Sequence, residues 1–281
     1  MTGNAMMKVL GRDTLVNKLS AQYIRDRMLS IEADSGTINE LLKRSKSILR
    51  WGYNNEYMND ISYLDKIQPL PDSTYREKVE DKYLEADDFK LLLNGMNVLL
   101  WELVSKFLGL SGLRIGEAIA LENVDIDFKN RLIHISKTFD VNNLVETSTK
   151  TLTSHREIYM QEELYEVCRD IKACMLRQGL TNGYGKSRLF LQGPTGDHIK
   201  YYAYNKYVKE NGLRTLNREN ITPHIFRHTH TCMLAENGVQ LDTISRRLGH
   251  GDSKITKDVY SHVTKRIKQN DYDQVAKVRI M

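Results

Sequence analysis

Apolar residues recur at helical spacing near the start of the chain and predict two amphipathic helices. The first apolar face contains Leu15, Leu19, Tyr23 and Met28, and the second contains Ile38, Leu41, Leu42, Ile48, Leu49 and Tyr53. Thr37 and Glu40 have the spacing of a capping box at the start of the second helix. Residues 60–82 carry two prolines and many charges, which predicts a linker. We therefore predict a small helical domain over residues 1–77 and a larger domain over residues 78–281.

The larger domain begins with helical periodicity and then changes to a different pattern. Alternation of apolar and polar residues over 124–128, 132–135 and 155–160 predicts three short strands, and residues 139–149 predict an extended hairpin. Helical patterns return over 161–178, 198–218, 222–238, 241–248 and from residue 253 onward. The predicted fold class is mainly α with a small antiparallel β-sheet, an α+β arrangement.

Composition and charge narrow the class of protein. Apolar residues make up 41% and charged residues 27% of the chain, as in ordinary globular proteins. No apolar run reaches the roughly 18–20 residues of a membrane span, and no signal peptide opens the chain. Three cysteines without a Cys-x-x-Cys pair read as free thiols, so we expect a cytoplasmic protein. The net charge of +5 suits a nucleic-acid partner without establishing one.

Five residues have the chemistry that phosphoryl transfer to a tyrosine requires. Arg114 lies in Gly-Leu-Arg-Ile-Gly-Glu at the start of a helix, while His224 and Arg227 share a helix face three positions apart. His250 follows Leu-Gly, and Tyr260 comes ten residues later. Arginine forks and imidazoles can stabilise the charge that develops on a phosphate, and a phenol needs a base or a cationic field to attack it.

Simpler interpretations exist for several of these residues. A tyrosine on an amphipathic helix usually belongs to the core, and most arginines are surface residues. His228 and His230 are predicted to be structural. A zinc site at His224 and His228 would need a third ligand that the sequence does not supply.

The motifs together resemble the tyrosine recombinase (phage-type integrase) family. The resemblance rests on the arginine motif at 112–117, His-x-x-Arg-His-Thr at 224–229, Leu-Gly-His at 248–250 and Tyr-x-His at 260–262. It covers roughly residues 13–265 and implies a two-domain protein, with a helical core-DNA-binding domain followed by a catalytic integrase domain. The first domain is short for this family, which implies a truncated chain or a simpler recombinase.

The resemblance also implies a role for each site residue. Tyr260 would form a 3′-phosphotyrosyl bond, and Arg114 and Arg227 would hold the phosphate. His224 would exchange a proton with the tyrosine, and His250 would donate to a phosphate oxygen. The family's catalytic lysine has two candidates, Lys150 in Lys-Thr-x-x-Ser-x-Arg and Lys137 at the end of the second strand, and Lys150 matches better. Supporting roles would fall to Glu117 and His262.

The implied function is site-specific recombination for the integration or excision of a mobile element, by a protein associated with the nucleoid. The resemblance implies no cofactor, neither ATP nor a metal, and as partners double-stranded DNA sites bound by a homotetramer, with accessory DNA-bending proteins as further candidates. Alternatives are a chromosome- or plasmid-resolving recombinase, a type IB topoisomerase-like enzyme, and an inactive DNA-binding relative. Candidate DNA contacts are Lys43, Arg44, Lys46, Arg156, Lys200, Lys206 and Arg214, although residues 198–218 fit a solvated helix equally well.

Overall fold

The computed structural model describes residues 7, 9–71, 80–148, 155–184, 187–249 and 254–276. The chain divides into two compact units, Met1–Arg76 and Glu77–Met281. None of the helices in these described ranges combines the length and the apolar character that crossing a membrane requires.

The first unit is helical. It contains α1 (Ala21–Leu29), α2 (Ser35–Asn54) and 3-10 turns at Val16–Lys18 and Ser62–Lys66. Its core is formed by one apolar face of each helix together with residues that follow α2, among them Ile24, Met28, Ile38, Leu42, Leu49, Met58, Leu64 and Ile67.

Two details of this unit differ from the sequence predictions. The start of α2 is capped by Asp34, whose Oδ1 accepts a hydrogen bond from the backbone N–H of Thr37 at 3.0 Å, so Thr37 is not the cap. The segment predicted as a linker begins inside the first unit, because Leu64 and Ile67 are each only 1% exposed. Residues 72–79 of that segment lie outside the described ranges.

The second unit is mainly helical, as predicted. Its helices are α3 (Ala86–Asn94), α4 (Leu99–Ser111), α5 (Ile115–Ala120), α6 (Glu162–Asn182), α7 (Tyr201–Leu216), α8 (Pro223–Glu236), α9 (Leu241–Leu248) and α10 (Lys254–Ala276). Helix α4 packs against both α6 and α8, and α8 packs against α10. Pro223 occupies the first position of α8, where its missing N–H costs no hydrogen bond.

The small antiparallel sheet is also present. It has the order β1 (Ile126–Asp127), β2 (Leu132–Ile135), β5 (Arg156–Tyr159), and β2 pairs with β5 so that Ile133 faces Ile158. The predicted hairpin forms a second sheet of two strands, β3 (Lys137–Asp140) and β4 (Val145–Ser148). Helix α5 packs against β3. The predicted fold class is therefore confirmed.

A glycine turn brings the start of α5 close to the end of α9. Gly112 ends α4 in the left-handed region with φ of +71°. A Cβ at this position would lie 2.5 Å from the ring of His230 and 2.8 Å from the side chain of Leu248. Only glycine accommodates both the backbone conformation and this close packing, and Arg114 follows two residues later.

Candidate active site

Arg114 occupies the N-cap position of α5, as the sequence predicts. Its backbone N–H donates to Oε2 of Glu117 at 2.9 Å, and its Nη1 donates to Oε1 of the same carboxylate at 2.8 Å. The Arg114 side chain is 37% exposed, whereas that of Glu117 is 2% exposed. Glu117 therefore holds the guanidinium from the protein side while part of it faces solvent, an arrangement that suits the supporting role expected of Glu117.

The same carboxylate holds a second arginine, Arg156 of β5. Nη1 of Arg156 donates to Oε1 of Glu117 at 3.1 Å, and Nη2 donates to Oε2 at 2.9 Å. Burial by itself would raise the pKa of Glu117, but the hydrogen bonds and charges of Arg156 and Arg114 outweigh it and lower the pKa to about 2. The structure contradicts the predicted DNA contact of Arg156, because its side chain is 6% exposed and engaged by protein groups.

Arg227 is the most deeply buried cation of the site. It is 1% exposed, and its two terminal nitrogens donate to the main-chain oxygens of Gly112 at 2.6 Å and Leu248 at 2.5 Å. Burial, followed by the charge of Arg114, lowers the pKa of Arg227 to about 9, so that it stays protonated at neutral pH. Arg227 thereby links the turn before Arg114 to the end of α9.

His224 lies one helical turn before Arg227, in the first turn of α8. It is exposed, and its ring meets the ring of the buried His228 edge to face, with centroids 4.7 Å apart. Desolvation by the surrounding protein, followed by the charges of Arg227 and Arg114, lowers the pKa of His224 below its usual value. The imidazole is thus mainly neutral at pH 7 and able to accept a proton.

His230 is a structural residue, as predicted, and its partner is Arg247. Nδ1 of His230 lies 2.8 Å from the Gly109 oxygen, and its Nε2 accepts from Nε of Arg247 at 3.1 Å. Burial and then the charge of Arg247 lower the pKa of His230 to about 3, so the ring is neutral. Nη1 of Arg247 also donates to the main-chain oxygen of Tyr159 at 2.8 Å. Arg247 was not predictable as a partner of His230, because a basic pair at the end of a short helix gives no indication of its contacts.

Tyr260 lies on α10 and packs against the cluster around Leu248 and Val259. It is half-buried. His262 does not lie beside it, because two positions on a helix are separated by about 200°. The ring of His262 instead faces the ring of Tyr83, with centroids 6.3 Å apart. The supporting role of His262 therefore stays a prediction from sequence.

The two lysine candidates differ in what the structure describes. Lys137 on β3 pairs with Glu122, and its Nζ lies 3.9 Å from Oδ2 of Asp125. Its ammonium is thus held by two carboxylates. Lys150 and His250 lie outside the described residues, so their assignments remain predictions from sequence.

The remaining candidates for DNA contact lie on α2 and α7. Lys43, Arg44, Lys200, Lys206 and Arg214 are exposed. Lys46 is half-buried and its ammonium donates to the Ile67 oxygen at 2.8 Å, while burial lowers its pKa. Arg44 pairs with Glu40 at 2.9 Å, Lys206 approaches Glu210 at 3.8 Å, and Arg214 donates to Asn211 at 2.6 Å.

The described part of the site favours an anion over a metal ion. Arg114, Arg156 and Arg227 share one carboxylate, that of Glu117, so the cluster has a formal excess of positive charge. Among the residues that the structure describes, no group of three or more His, Cys, Asp or Glu side chains is arranged to hold a metal. The zinc interpretation of His224 and His228 therefore has no third ligand in the described ranges.

Comparison with known proteins identifies the family. The model of the phage integrase family matches residues 82–266, so the chain belongs to this family, that of the tyrosine recombinases. The predicted resemblance is confirmed.

The relatives and structural neighbours agree with this assignment. The prophage ps2 probable integrase of Lactococcus lactis subsp. lactis (strain IL1403) is 31% identical over 255 residues, which cover 83% of this chain and 65% of that protein. The integrase of Staphylococcus phage L54a is 29% identical over 274 residues, 90% of this chain and 75% of that protein. The integrase of transposon Tn1549, solved in complex with transposon right end DNA, shares the fold with a TM-score of 0.74 at 20% identity, covering 97% of this chain and 92% of that one.

Proposed function

We propose that this chain cuts and rejoins DNA at specific sites through a covalent phosphotyrosyl intermediate, in the integration or excision of a mobile element. The observation that carries the proposal is the arginine cluster around Glu117. Arg114 and Arg227 come from distant parts of the chain, and burial, followed by the charge of Arg114, lowers the pKa of Arg227. Three arginines around Glu117, the one carboxylate of the described cluster, leave an excess of positive charge that suits a bound anion, and a scissile phosphate supplies one.

The proposed cleavage step is a transesterification. The phenolic oxygen of Tyr260 attacks the phosphorus, the new bond to the 3′-phosphate forms, and the bond to the 5′-oxygen breaks. The phenolic proton passes to His224, whose lowered pKa favours the neutral imidazole that can accept it. The leaving 5′-oxygen takes a proton from Lys150. Rejoining is the reverse reaction, with a 5′-hydroxyl as nucleophile, so the bond energy is conserved.

Charge stabilisation falls to the remaining groups. Arg114 and Arg227 would each donate to the non-bridging oxygens, on which negative charge increases as the phosphorus becomes five-coordinate. His250 would add a further hydrogen bond from the turn after α9. The engagement of Lys137 by Glu122 and Asp125 supports Lys150 as the general acid.

The partners in this proposal are duplex recombination sites bound by four copies of the chain, with accessory DNA-bending proteins as additional factors. The DNA-bound integrase of transposon Tn1549 has the same fold, which supports the DNA partner. We further propose the first unit as the core-DNA-binding domain. Its helix α2 presents Lys43 and Arg44 to solvent beside Arg50, and such cations give salt-dependent contacts to the phosphate backbone.

The test is a cleavage assay with nicked suicide duplexes tiled across the DNA that flanks the gene, without metal or ATP. A covalent protein–DNA adduct on a denaturing gel is expected for the wild type and not for Tyr260→Phe, which should keep DNA binding. An adduct that survives this substitution would show that Tyr260 is not the nucleophile. Tight binding to a flanking duplex without any adduct would instead support an inactive DNA-binding relative.

A further inference from the structure

Arg156 connects three parts of the candidate active site, although it has none of the roles proposed for the reaction. It begins β5, and its side chain is 6% exposed. All three guanidinium nitrogens have protein acceptors. Nη1 and Nη2 donate to Glu117, and Nε donates to the main-chain oxygen of Arg247 at 2.8 Å.

The first connection runs to Arg114. Glu117 accepts from Arg114 and Arg156 at the same time, so the position of its carboxylate depends on both. The bidentate fork of Arg156 fixes the plane of the carboxylate, since two parallel hydrogen bonds leave it little freedom to rotate. Arg114 then aligns against a carboxylate whose orientation Arg156 has set.

The second connection runs to the end of α9. The last carbonyl oxygens of a helix have no partners within the helix and favour nearby cations. Arg156 binds the oxygen of Arg247, and Arg227 binds the oxygen of the next residue, Leu248, at 2.5 Å. Two arginines thereby fix consecutive carbonyls of the segment that leads to His250.

The packing at Gly249 shows how closely Arg156 is fitted to this turn. Gly249 has φ of +64°, and a Cβ there would lie 2.9 Å from Nη1 and 3.1 Å from Cζ of Arg156. The turn therefore passes directly over the guanidinium. Arg156 is buried between Glu117 and the end of α9, and each of its three guanidinium nitrogens donates a hydrogen bond.

We propose that Arg156 is a positioning residue for the cleavage reaction, which sets the orientation of Arg114 through Glu117 and holds the end of α9 through the main-chain oxygen of Arg247. The inference rests on the proposed function and deepens it. Arg156 does not need to contact DNA in order to act in this way. A residue that only stabilises the fold would affect every substrate alike, whereas one that acts through Arg114 affects the step in which the phosphate charge is stabilised.

The experiment compares the single-turnover cleavage rates of wild type, Arg156→Gln and Arg156→Lys on the flanking nicked duplex that yields the wild-type adduct. Arg169→Gln is the matched control, because it removes one exposed positive charge from α6 of the same unit. We expect Arg156→Gln to lose about 100-fold in rate, the effect of a misplacement of about 1 Å at a catalytic group. The cleavage rate of Arg156→Lys should lie between those of wild type and Arg156→Gln. One ammonium keeps the charge beside Glu117 but cannot replace the two-pronged contact with Glu117 and the bond to Arg247.

The decisive measurement uses the same duplex with a methylphosphonate at the scissile position. Its phosphorus centre is neutral, so stabilisation by Arg114 matters less, and the difference between wild type and Arg156→Gln should shrink. Arg114→Ala is expected to show the same substrate dependence. An equal loss on both substrates, or cleavage by Arg156→Gln at the wild-type rate, would overturn the inference.

A folding defect is separated by the double variant Glu117→Gln/Arg156→Gln. It removes both buried charges together and so avoids leaving an unpaired carboxylate. We expect this variant to recover thermal stability relative to Arg156→Gln and to keep the rate loss on the phosphodiester. Recovery of cleavage together with stability would show that Arg156 is only structural. Adduct formation by the wild type tests the proposed function separately.

Discussion

Replacing Glu117 by Gln removes the charge of a carboxylate that is 2% exposed and hydrogen-bonded to two arginines. Gln has the shape of the protonated acid, so the variant isolates the contribution of ionisation. The pKa of Glu117 is lowered from 4.5 to about 2 in the folded protein. A difference of about 2.5 pKa units corresponds to about 3 kcal/mol of unfolding free energy at pH 7.

The sign of the pH dependence follows from the direction of the shift. Because the folded pKa lies below the ordinary value of 4.5, the stabilisation is fully present above pH 4.5 and is lost as the pH falls toward 2. At pH 3 the same linkage leaves about 1.4 kcal/mol. The stability difference between wild type and Glu117→Gln should therefore be about halved at that pH.

The assay is urea unfolding followed by fluorescence. The chain has two tryptophans, Trp51 in the first unit and Trp101 in the second, so a Trp51→Phe background reports on the catalytic unit alone. Glu162→Gln is the control, because Glu162 pairs with Arg131 but is 65% exposed, and such surface pairs contribute about 0–1 kcal/mol. A difference for Glu117→Gln that does not change between pH 7 and pH 3 would refute the argument.

Three further predictions concern the lysine assignment, the glycine turn and α10. Lys150→Ala should lose cleavage and regain it on a substrate with a 5′-thio leaving group, whereas rescue of Lys137→Ala instead would exchange the two assignments. Gly249→Ala should lower the unfolding free energy by about 1–2 kcal/mol through backbone strain alone, with more from the clash with Arg156, and unchanged urea unfolding would contradict it. Arg266 of α10 pairs with Glu85, the N-cap of α3, and with Glu236 at the end of α8. Arg266→Gln should therefore lower the thermal midpoint at low salt, and lower it less at about 1 M salt, where exposed charges are screened. An equal loss at both salt concentrations would exclude these ion pairs as the cause.

The position of Arg114 was predictable because its determinants are local. A glycine turn followed by a helix start, with Glu117 three residues on, specifies the cap from the sequence itself. The helix that carries His224 and Arg227 was equally predictable from the sequence, since Pro223 marks its first position. The local sequence of these segments determines their backbone conformation, so no distant contact is needed to predict it.

The role of Arg156 depends on tertiary structure, although the sequence did contain one indication. Alternate residues of a strand point to the same face, and Ile158 of β5 is 1% exposed, so Arg156 belongs to the inward side. An inward arginine requires an acceptor, which could not be named without knowing that α5 and α9 meet β5. The contact of His262 with Tyr83 depends on tertiary structure in the same way, because it joins segments that are far apart in the sequence.

Holding the arginines together around Glu117 costs free energy in the protein without DNA, and the arrangement of charges explains what this cost achieves. Three arginines surround the single carboxylate of Glu117, and burial together with the neighbouring positive charges lowers the pKa of Arg227 to about 9. Such a cluster is electrostatically incomplete, because a buried charge is stable only when an opposite charge compensates it. One carboxylate does not balance three arginines, and the side chain of Arg114 is 37% exposed, so an added anion can reach the cluster and supply the missing negative charge. A bound phosphodiester would supply that charge, and the pentavalent state, with more negative charge on its oxygens, would supply more of it. Binding that strengthens as charge develops is what lowers the barrier to the reaction.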